Sequence, residues 1–280
     1  MEVTYIDVEK TNGYLDSEAV ISAIRLQTVL VTIMLANNET GIVQPLGDIS
    51  RKLKAYMMEC HHPCRILLHT DAAQAIGKIP LDVQDIGVDY LTVVGHKFYG
   101  PRIGALWVGK GCPIYPMIHG GGQEQGRRAG TENTPMVVGL GEAARLVSAH
   151  VEEYSDHMST VSTYLRQQLL TTFGEAGLVF NTPLKNVLPN TLNVSFKNVG
   201  SARGSDILKL CSRVEASVGA ACHSHLVNKP SKILLAHGVS EEVALTAIRL
   251  SLGRETSKED VDVIVEDLKA AVHELNKCNS

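Results

Sequence analysis

The stretch Asp89-Tyr-Leu-Thr-Val-Val-Gly-His-Lys-Phe-Tyr-Gly-Pro101 joins an apolar run to a polar turn. The run from Leu91 to Val94 is short and rich in β-branched residues, which predicts a buried strand. It stops at Gly95, and His96 and Lys97 follow directly. Because α/β sheets bind ligands at the carboxyl ends of their strands, this stretch predicts a ligand-binding edge that carries Lys97.

A second predicted strand delivers an acid to the same kind of edge. In Leu67-Leu-His-Thr-Asp-Ala-Ala-Gln74, the residues Asp71 and Gln74 follow an apolar start. A carboxylate and a lysine at two strand ends suit a pyridoxal phosphate (PLP) enzyme, because the lysine forms a Schiff base and the acid keeps the pyridinium nitrogen protonated. The alternative is an ordinary ion pair at the edge of a sheet.

Composition excludes several classes of protein. The chain has 280 residues, 44% of them hydrophobic and 20% charged, with a net charge of −4. This length fits one large domain or two unequal ones. The charge offers no basic surface for nucleic acid or anionic lipid, and no apolar run approaches the ~20 residues of a membrane helix. The first residues, Met-Glu-Val-Thr-Tyr, lack the regions of a secretory signal. We therefore expect neither a nucleic-acid nor a membrane partner.

The cysteines indicate a reducing compartment. Six cysteines are scattered along the chain without the spacing of a disulfide framework, so we predict a cytoplasmic protein. The segment Cys60-His-His-Pro-Cys64 is either a metal site or the end of a surface helix. Its spacing is loose and no second pair of ligands stands out, so we favour the helix end and expect no metal.

Strand and helix patterns alternate in the first half of the chain. Such alternation predicts an α/β fold, with a mostly parallel sheet and helices on both faces. The predicted strands are Val3 to Ile6, Thr28 to Leu35, the runs from Leu67 and Leu91, and Gly104 to Val108; the predicted helices are Asp16 to Arg25 and one after Pro45 with Ile49, Leu53 and Met57 on one face.

The most glycine-rich stretch runs from Ile118 to Thr131. It lacks the G-x-G-x-x-G spacing of a dinucleotide site. A flexible loop with Arg127, Arg128 and Thr131 is either an anion-binding element or a loop between domains.

The second half has a different character. Residues 134–173 have a helical pattern, which predicts two helices broken near His150. Strands are predicted at Pro189 to Phe196, Val214 to Val218 and Ala247 to Leu252; a last helix is predicted after a Thr256–Glu259 capping box, with Val261, Ile264, Val265, Leu268, Val272 and Leu275 on its buried face. The sequence therefore predicts a large cofactor-binding domain over residues 1–150 and a small α+β domain over residues 151–280.

A cysteine lies among small residues in the predicted small domain. In Ala216-Ser-Val-Gly-Ala-Ala-Cys-His-Ser-His225, Cys222 directly precedes His223 and is three residues before His225. Imidazolium neighbours would lower the pKa of an exposed thiol, and the alternative is a buried structural cysteine.

Together these motifs resemble the cysteine desulfurase and selenocysteine lyase family of PLP enzymes. The resembling segments are Asn-Asn-Glu-Thr-Gly at 37–41, His-Thr-Asp-Ala-Ala-Gln at 69–74, Gly-His-Lys at 95–97, Gly-Gly-Gly-Gln-Glu at 120–124, Gly-Thr-Glu-Asn at 130–133, the Cys222 loop and Ile-Arg-Leu-Ser-Leu-Gly-Arg at 248–254. Gly-Ala-Ala-Cys-His-Ser is more similar to the loop of the selenocysteine lyases than to the Ser-Gly-Ser-Ala-Cys-Thr-Ser loop of the desulfurases.

The resemblance implies a fold-type-I PLP enzyme and a role for each matched residue. Lys97 is implied to bind the cofactor covalently, with Asp71 on the pyridinium nitrogen, and Cys222 to act on selenium or sulfur. Arg249 is implied to bind the substrate carboxylate. The remaining implied contacts are Gln74 and Asn38 at the ring oxygen and substrate, His96 at the phosphate, and Thr131 at the phosphate of a partner subunit in a homodimer.

The resemblance also implies a reaction, with two alternatives. The expected reaction splits L-selenocysteine into L-alanine and reduced selenium, with selenium passed to a possible acceptor protein. The alternatives are a cysteine desulfurase that forms a persulfide on Cys222, and a shortened, non-catalytic dimerisation partner. Family members begin upstream of Met1, which implies a fragment or short isoform without an N-terminal segment. Val94 replaces a phosphate-binding serine, so Thr92 or the backbone would have to donate instead.

Overall fold

In a computed structural model, residues 2–219 and 229–278 are described, and they form two compact units. The parallel-sheet unit comprises Ser17–Leu35 and Pro45–Val151. The antiparallel-sheet unit comprises Met1–Asp16, Ala36–Gln44 and Glu152–Ser280. Within the described residues, no helix has the length and apolar character needed to cross a membrane.

The parallel-sheet unit is built on four strands in sequence order. The strands are β1 (Leu30–Met34), β2 (Leu67–Asp71), β3 (Tyr90–Val94) and β4 (Gly104–Val108). The pairs β1–β2 and β2–β3 are parallel, whereas β4 returns antiparallel to β3. The mostly parallel sheet and the α/β class are therefore confirmed.

Helices alternate with these strands as the sequence predicts. They are α1 (Ser17–Ser22), α2 (Leu46–Glu59), α3 (Val83–Ile86) and the first part of α4 (Thr134–Gly177). In α2, Ile49 and Leu53 are buried one turn apart, which is the predicted apolar face. The helix ends at Glu59, and Cys60 caps it through a backbone bond to the carbonyl of Tyr56. The predicted helix end at Cys60 is thus present.

The antiparallel-sheet unit packs helices against a three-stranded sheet. Its strands are β5 (Leu178–Phe180), β6 (Thr191–Phe196) and β7 (Ala247–Ser251), and its helices are the last part of α4, α5 (Gly204–Leu210), α6 (Lys232–Ala236), α7 (Glu241–Leu245) and α8 (Lys258–Cys278). All six residues of β6 are buried, including Leu192 and Val194. On α8, Val261, Val265 and Leu268 are buried against the same core, which matches the predicted apolar face.

Two predicted strands are absent. Residues 3–6 form no strand, and Val3 and Tyr5 are 54% and 89% exposed, so no buried face would stabilise a strand there. In the segment from Val214 to Val218, only Ser217 forms a β-bridge, to Arg249. The Asp267 carboxylate instead accepts the backbone N–H groups of residues 212–214, at 2.7–3.2 Å. A carboxylate thus takes the amides that a neighbouring strand would have bound.

Two predicted helix boundaries are also wrong. The helical pattern runs through His150 without a break, and the interruption is at Gly174, whose φ of 69° and ψ of 164° are not helical. The capping box before α8 uses Ser257 and Asp260 rather than Thr256 and Glu259. The Thr256 hydroxyl accepts the Gly253 N–H instead, at 2.8 Å, so it caps the preceding turn.

Candidate functional site

The polar turn after β3 places Lys97 beside the end of β2. Gly95 to Lys97 form a short 3₁₀ turn, and Asp71, the last residue of β2, is in register with Thr92 of β3. Only glycine fits at position 95, because a Cβ atom there would lie 2.6 Å from the carbonyl oxygen of Pro101. The chain therefore turns sharply at Gly95, and its next residues extend from the carboxyl edge of the sheet.

Asp71 and Lys97 do not form an ion pair. Both side chains are exposed. The Asp71 carboxylate accepts one hydrogen bond, from the Ala73 N–H at 2.8 Å. Within residues 2–219 and 229–278, no side-chain hydrogen bond or salt bridge engages the Lys97 ammonium. Among the described residues, Asp71 and Lys97 therefore do not form the ordinary ion pair that was the alternative. The Asp71 carboxylate and the Lys97 ammonium are both accessible to a ligand.

A polar ladder crosses the sheet two residues before Asp71. His69 Nδ1 lies 2.7 Å from the Thr32 hydroxyl of β1, and His69 Nε2 lies 3.0 Å from the Thr92 hydroxyl of β3. Burial lowers the pKa of His69, and the charge of Asp71 partly offsets this effect. Since a neutral imidazole has one donor and one acceptor nitrogen, two hydroxyls complement it fully. The Thr92 hydroxyl is thus already engaged, which favours the backbone as the donor that replaces the missing serine.

A buried lysine forms a hydrogen bond to the turn that carries Lys97. Lys78 is 9% exposed, and its ammonium donates to the backbone carbonyl of Lys97 at 3.1 Å. Burial, followed by the positive charge of Lys97, lowers the pKa of Lys78 to about 8. The turn that carries Lys97 is therefore anchored by a second lysine.

The antiparallel-sheet unit holds Asn38 and Arg249 together. Asn37 Oδ1 accepts the backbone N–H groups of Glu39 and Thr40, each at 2.9 Å, which is an Asx turn. This turn aims the Asn38 carbonyl at Arg249, whose Nη1 donates to it at 2.7 Å. Arg249 is also paired through its backbone with Ser217. One end of the guanidinium is thus held by the same loop that carries Asn38.

Buried Glu39 connects the Asn38 loop to a segment close to the cysteine loop in sequence. The Ser231 hydroxyl donates to the Glu39 carboxylate, and Ser231 caps α6 through the N–H groups of Ile233 and Leu234. Cys222 itself lies outside the described residues. The nearest described residues on either side, Gly219 and Lys229, flank it in sequence.

The glycine-rich stretch lies within the parallel-sheet unit, between β4 and α4, so it is not a loop between the two units. Arg127, Arg128 and Thr131 are all exposed. Glu124 and Gln125 have left-handed backbone conformations, with φ of 53° and 59°, which non-glycine residues rarely adopt. An anion-binding role for this loop stays a prediction.

Cys60, Cys64, Cys112 and Cys211 are free thiols. Burial raises the pKa of Cys112, and burial together with the Asp267 charge raises the pKa of Cys211 to about 11. In the predicted helix end, His62 contacts the backbone carbonyls of Cys64 and Arg25 through its two ring nitrogens, at 2.8 and 3.1 Å. No cluster of three metal-ligating side chains occurs among the described residues.

Comparison with known proteins identifies the family. The model of the family "Aminotransferase class-V" matches residues 1–264. The chain belongs to the aminotransferase class-V family. PLP is the cofactor of this family. The exposed, unpaired Lys97 and Asp71 at one sheet edge fit that cofactor, which needs a lysine for attachment and an acid at its ring nitrogen.

Individual class-V relatives resemble the chain over nearly its whole length. Selenocysteine lyase of Rattus norvegicus is 50% identical over 98% of this chain and 65% of its own. Cysteine desulfurase IscS of Dictyoglomus turgidum is 37% identical over 98% of this chain and 66% of its own. The solved structure of a NifS-like protein has a TM-score of 0.83 and 35% identity, over 98% of this chain and 69% of its own. The chain thus spans about two thirds of the length of its relatives, and its fold is that of the fold-type-I PLP enzymes.

Sequence reasoning missed three residues that contact the segments carrying candidate site residues within one unit or the other. Glu39 and His69 stood inside quoted motifs without a role, and Lys78 was passed over in a turn. A signal was available for His69, because Thr32, His69 and Thr92 all fall on alternating positions of neighbouring strands. For Lys78 and Glu39 no local signal exists, since their partners are 19 and 192 residues away in sequence.

The His69 ladder predicts a pH-dependent contribution to stability. His69→Gln should lower the free energy of unfolding at pH 7.5 by roughly 1–2 kcal/mol, because two hydrogen bonds are weakened. A histidine whose folded pKa is lowered stabilises the protein at high pH, and this contribution disappears as the pH falls through its unfolded pKa of about 6.5. Urea unfolding at pH 7.5 and 5.5 should therefore show a smaller difference at pH 5.5.

His273→Gln is the matched control, because His273 is exposed on α8. Its difference from the wild type at pH 7.5 should be small, because the side chain is exposed. A His69→Gln difference that stays constant or grows on acidification would show that His69 is not held neutral.

Proposed function

We propose that this chain binds PLP and splits L-selenocysteine into L-alanine and reduced selenium. The observation that carries the proposal is the 50% identity to selenocysteine lyase over 98% of the chain. The exposed Lys97 and Asp71 at one sheet edge, without an ion pair between them, supply the chemistry that this reaction needs.

The proposed cofactor site uses residues at the ends of β2 and β3. Lys97 would hold PLP covalently and Asp71 would keep a proton on its ring nitrogen, and the cofactor would supply an electron sink for the reaction. Gln74 and Asn38 bind near the ring oxygen, and His96 binds the phosphate. We also propose residues 1–150 as the cofactor-binding domain and residues 151–280 as the domain that carries the cysteine loop.

Arg249 is the proposed anchor of the substrate carboxylate. A guanidinium presents two parallel donors to a carboxylate, which an ammonium does not. The hydrogen bond from Nη1 to the Asn38 carbonyl supports this role, because it fixes the orientation of the guanidinium plane. Asn38 and Arg249 thus act on the substrate as one preoriented pair.

Cys222 is the proposed group that acts on selenium. It lies between small residues and two histidines, which suits a reactive thiol. The four described cysteines are free, which agrees with a reducing location such as the cytoplasm. A carrier protein that accepts the selenium would complete this part of the proposal.

A second candidate is a cysteine desulfurase that forms a persulfide on Cys222. The 37% identity to cysteine desulfurase IscS favours it, because the same PLP chemistry serves sulfur and selenium in this family. The two candidates differ in the preferred substrate and in whether the chalcogen stays on the enzyme.

We also propose that two copies of the chain form a homodimer in which Thr131 binds the phosphate in the partner's site. Exposed apolar side chains in the parallel-sheet unit support an interface there, since surfaces of this kind mark protein contacts. They are Trp107 at 37% exposure, Met117 at 95%, Val137 at 50% and Val138 at 65%.

The first test measures turnover and the site of cofactor attachment. With PLP, the purified chain should absorb visible light and release alanine from L-selenocysteine faster than from L-cysteine. Borohydride reduction followed by peptide mapping should label Lys97, and Lys97→Ala should lose both the label and the activity. Lys110→Ala, at an exposed lysine of the same unit, should keep both.

Each outcome of this test is informative. A preference for L-cysteine with persulfide on Cys222 supports the desulfurase, and a folded chain that takes up no PLP but pairs with a longer subunit supports a non-catalytic partner. Label on another lysine refutes the assignment of Lys97.

The second test concerns Cys222. Cys222→Ala should abolish selenium release or remove the preference for selenocysteine, while PLP binding stays normal. Alkylation at pH 7.5 should modify Cys222 first and Cys112 and Cys211 last, because burial raises the pKa of the latter two. Cys112→Ala is the control and should behave as wild type. Equal labelling of all cysteines and full activity of Cys222→Ala would mark a structural residue.

The third test uses mixed dimers to locate Thr131. Thr131→Val should weaken PLP binding about tenfold through a lost phosphate hydrogen bond. A heterodimer of a Lys97→Ala chain and a Thr131→Val chain should regain one site of wild-type affinity, because the intact Lys97 then meets an intact Thr131 from the other chain. If Thr131 acts within its own chain, every site of the heterodimer stays defective. A monomeric mass at micromolar concentration would contradict the dimer.

A further inference from the structure

The turn before Lys78 packs directly against the turn that carries Lys97. Gly77 has a left-handed φ of 78°, and a Cβ atom there would lie 2.6 Å from Cβ of Phe98. Phe98 follows Lys97 and is only 2% exposed. Because Gly77 has no side chain, the two turns can pack in direct contact. This contact brings the next residue, Lys78, within hydrogen-bond distance of the Lys97 carbonyl.

From this packing we infer that Lys78 is a positioning residue for Lys97. Its ammonium donates to the Lys97 carbonyl at 3.1 Å and fixes the backbone from which the Lys97 side chain extends. The inference rests on the proposed role of Lys97 in binding PLP. It adds a residue that touches neither the cofactor nor the substrate and acts only through the peptide group of Lys97.

The burial of Lys78 supports a structural role for its hydrogen bond to the Lys97 carbonyl. A methionine or leucine would fill a 9% exposed position without the cost of burying an amine. Lowering of the pKa of Lys78 to about 8, mainly by burial, agrees with such a cost. The most direct explanation for a buried amine that is bonded to one carbonyl is that it fixes the position of that carbonyl.

The position of the bonded carbonyl is consistent with this role. The Lys97 turn is closed by N–H groups of Phe98 and Gly100, which both donate to the Gly95 carbonyl, at 3.1 and 2.9 Å. The carbonyl of Lys97 takes no part in these two bonds and accepts the Lys78 ammonium instead. Lys78 therefore adds a hydrogen bond at a carbonyl that the turn's internal hydrogen bonds do not engage.

The test compares Lys78→Met with wild type, with Lys78→Arg as the conservative variant and Lys110→Met as the matched exposed control. In the PLP-free chain, amide hydrogen exchange of Phe98 and Gly100 should be about tenfold faster in Lys78→Met and unchanged in β5 to β7. The Kd for PLP should rise about tenfold, whereas the KM for the amino acid should change less than twofold, since Arg249 is untouched. Lys78→Arg should restore most of both effects.

Unchanged exchange and PLP affinity in a folded Lys78→Met chain would overturn the inference. So would equal losses in Lys110→Met, or no rescue by Lys78→Arg. If Lys78→Met does not fold, Lys78→Gln, which is too short to reach the carbonyl, replaces it with the same expectations. A wild-type chain that takes no PLP on Lys97 refutes the proposed function, whereas the amide exchange still decides whether Lys78 holds the turn.

Discussion

Parallel pairing of β2 with β3 is the constraint on which the candidate site depends. Parallel strands present their carboxyl ends at the same edge, so the pairing of Asp71 with Thr92 sets how near the Asp71 carboxylate lies to the turn after β3. A register shift of one residue would turn Asp71 to the opposite face of the sheet. The His69 ladder crosses the same strands and opposes such a shift, because Thr32, His69 and Thr92 meet only in the observed register.

Two lysines at this edge have opposite environments and therefore different uses. Lys97 is exposed, whereas Lys78 is buried, bonded to a backbone carbonyl and weakened as a base. A reactive amine has to be accessible to its ligand, and a buried amine is suited to holding a peptide group. Two lysines in neighbouring turns are thus suited to different functions, cofactor attachment for Lys97 and backbone support for Lys78. The difference between them is their burial.

In the antiparallel-sheet unit, a backbone carbonyl likewise accepts a hydrogen bond from a basic side chain. An Asx turn at Asn37 orients the Asn38 carbonyl, and that carbonyl holds Arg249. Buried Glu39 extends the network to Ser231. In each unit a basic side chain thus donates to the backbone carbonyl of a proposed site residue, Lys78 to Lys97 and Arg249 to Asn38.

The sequence by itself determined the α/β class and most of the strands and helices, because apolar periodicity is local. It also pointed to Asp71 and Lys97 as candidate site residues, because one ends a strand and the other lies in the turn after the next strand. Local patterns failed where a distant partner decided the outcome. Asp267 accepts the amide of Val214, the first residue of a predicted strand that is absent, and Ser257 rather than Thr256 caps α8.

Only the tertiary structure decided which supporting residues matter. Lys78 and Glu39 are ordinary polar residues in the sequence, and their meaning comes from burial and from partners far along the chain. Burial of a charge or a polar atom depends on how the whole chain packs, so no window of neighbouring residues contains it. The sequence therefore identified candidate reactive groups, whereas the packing decided which buried groups contact the segments that carry them.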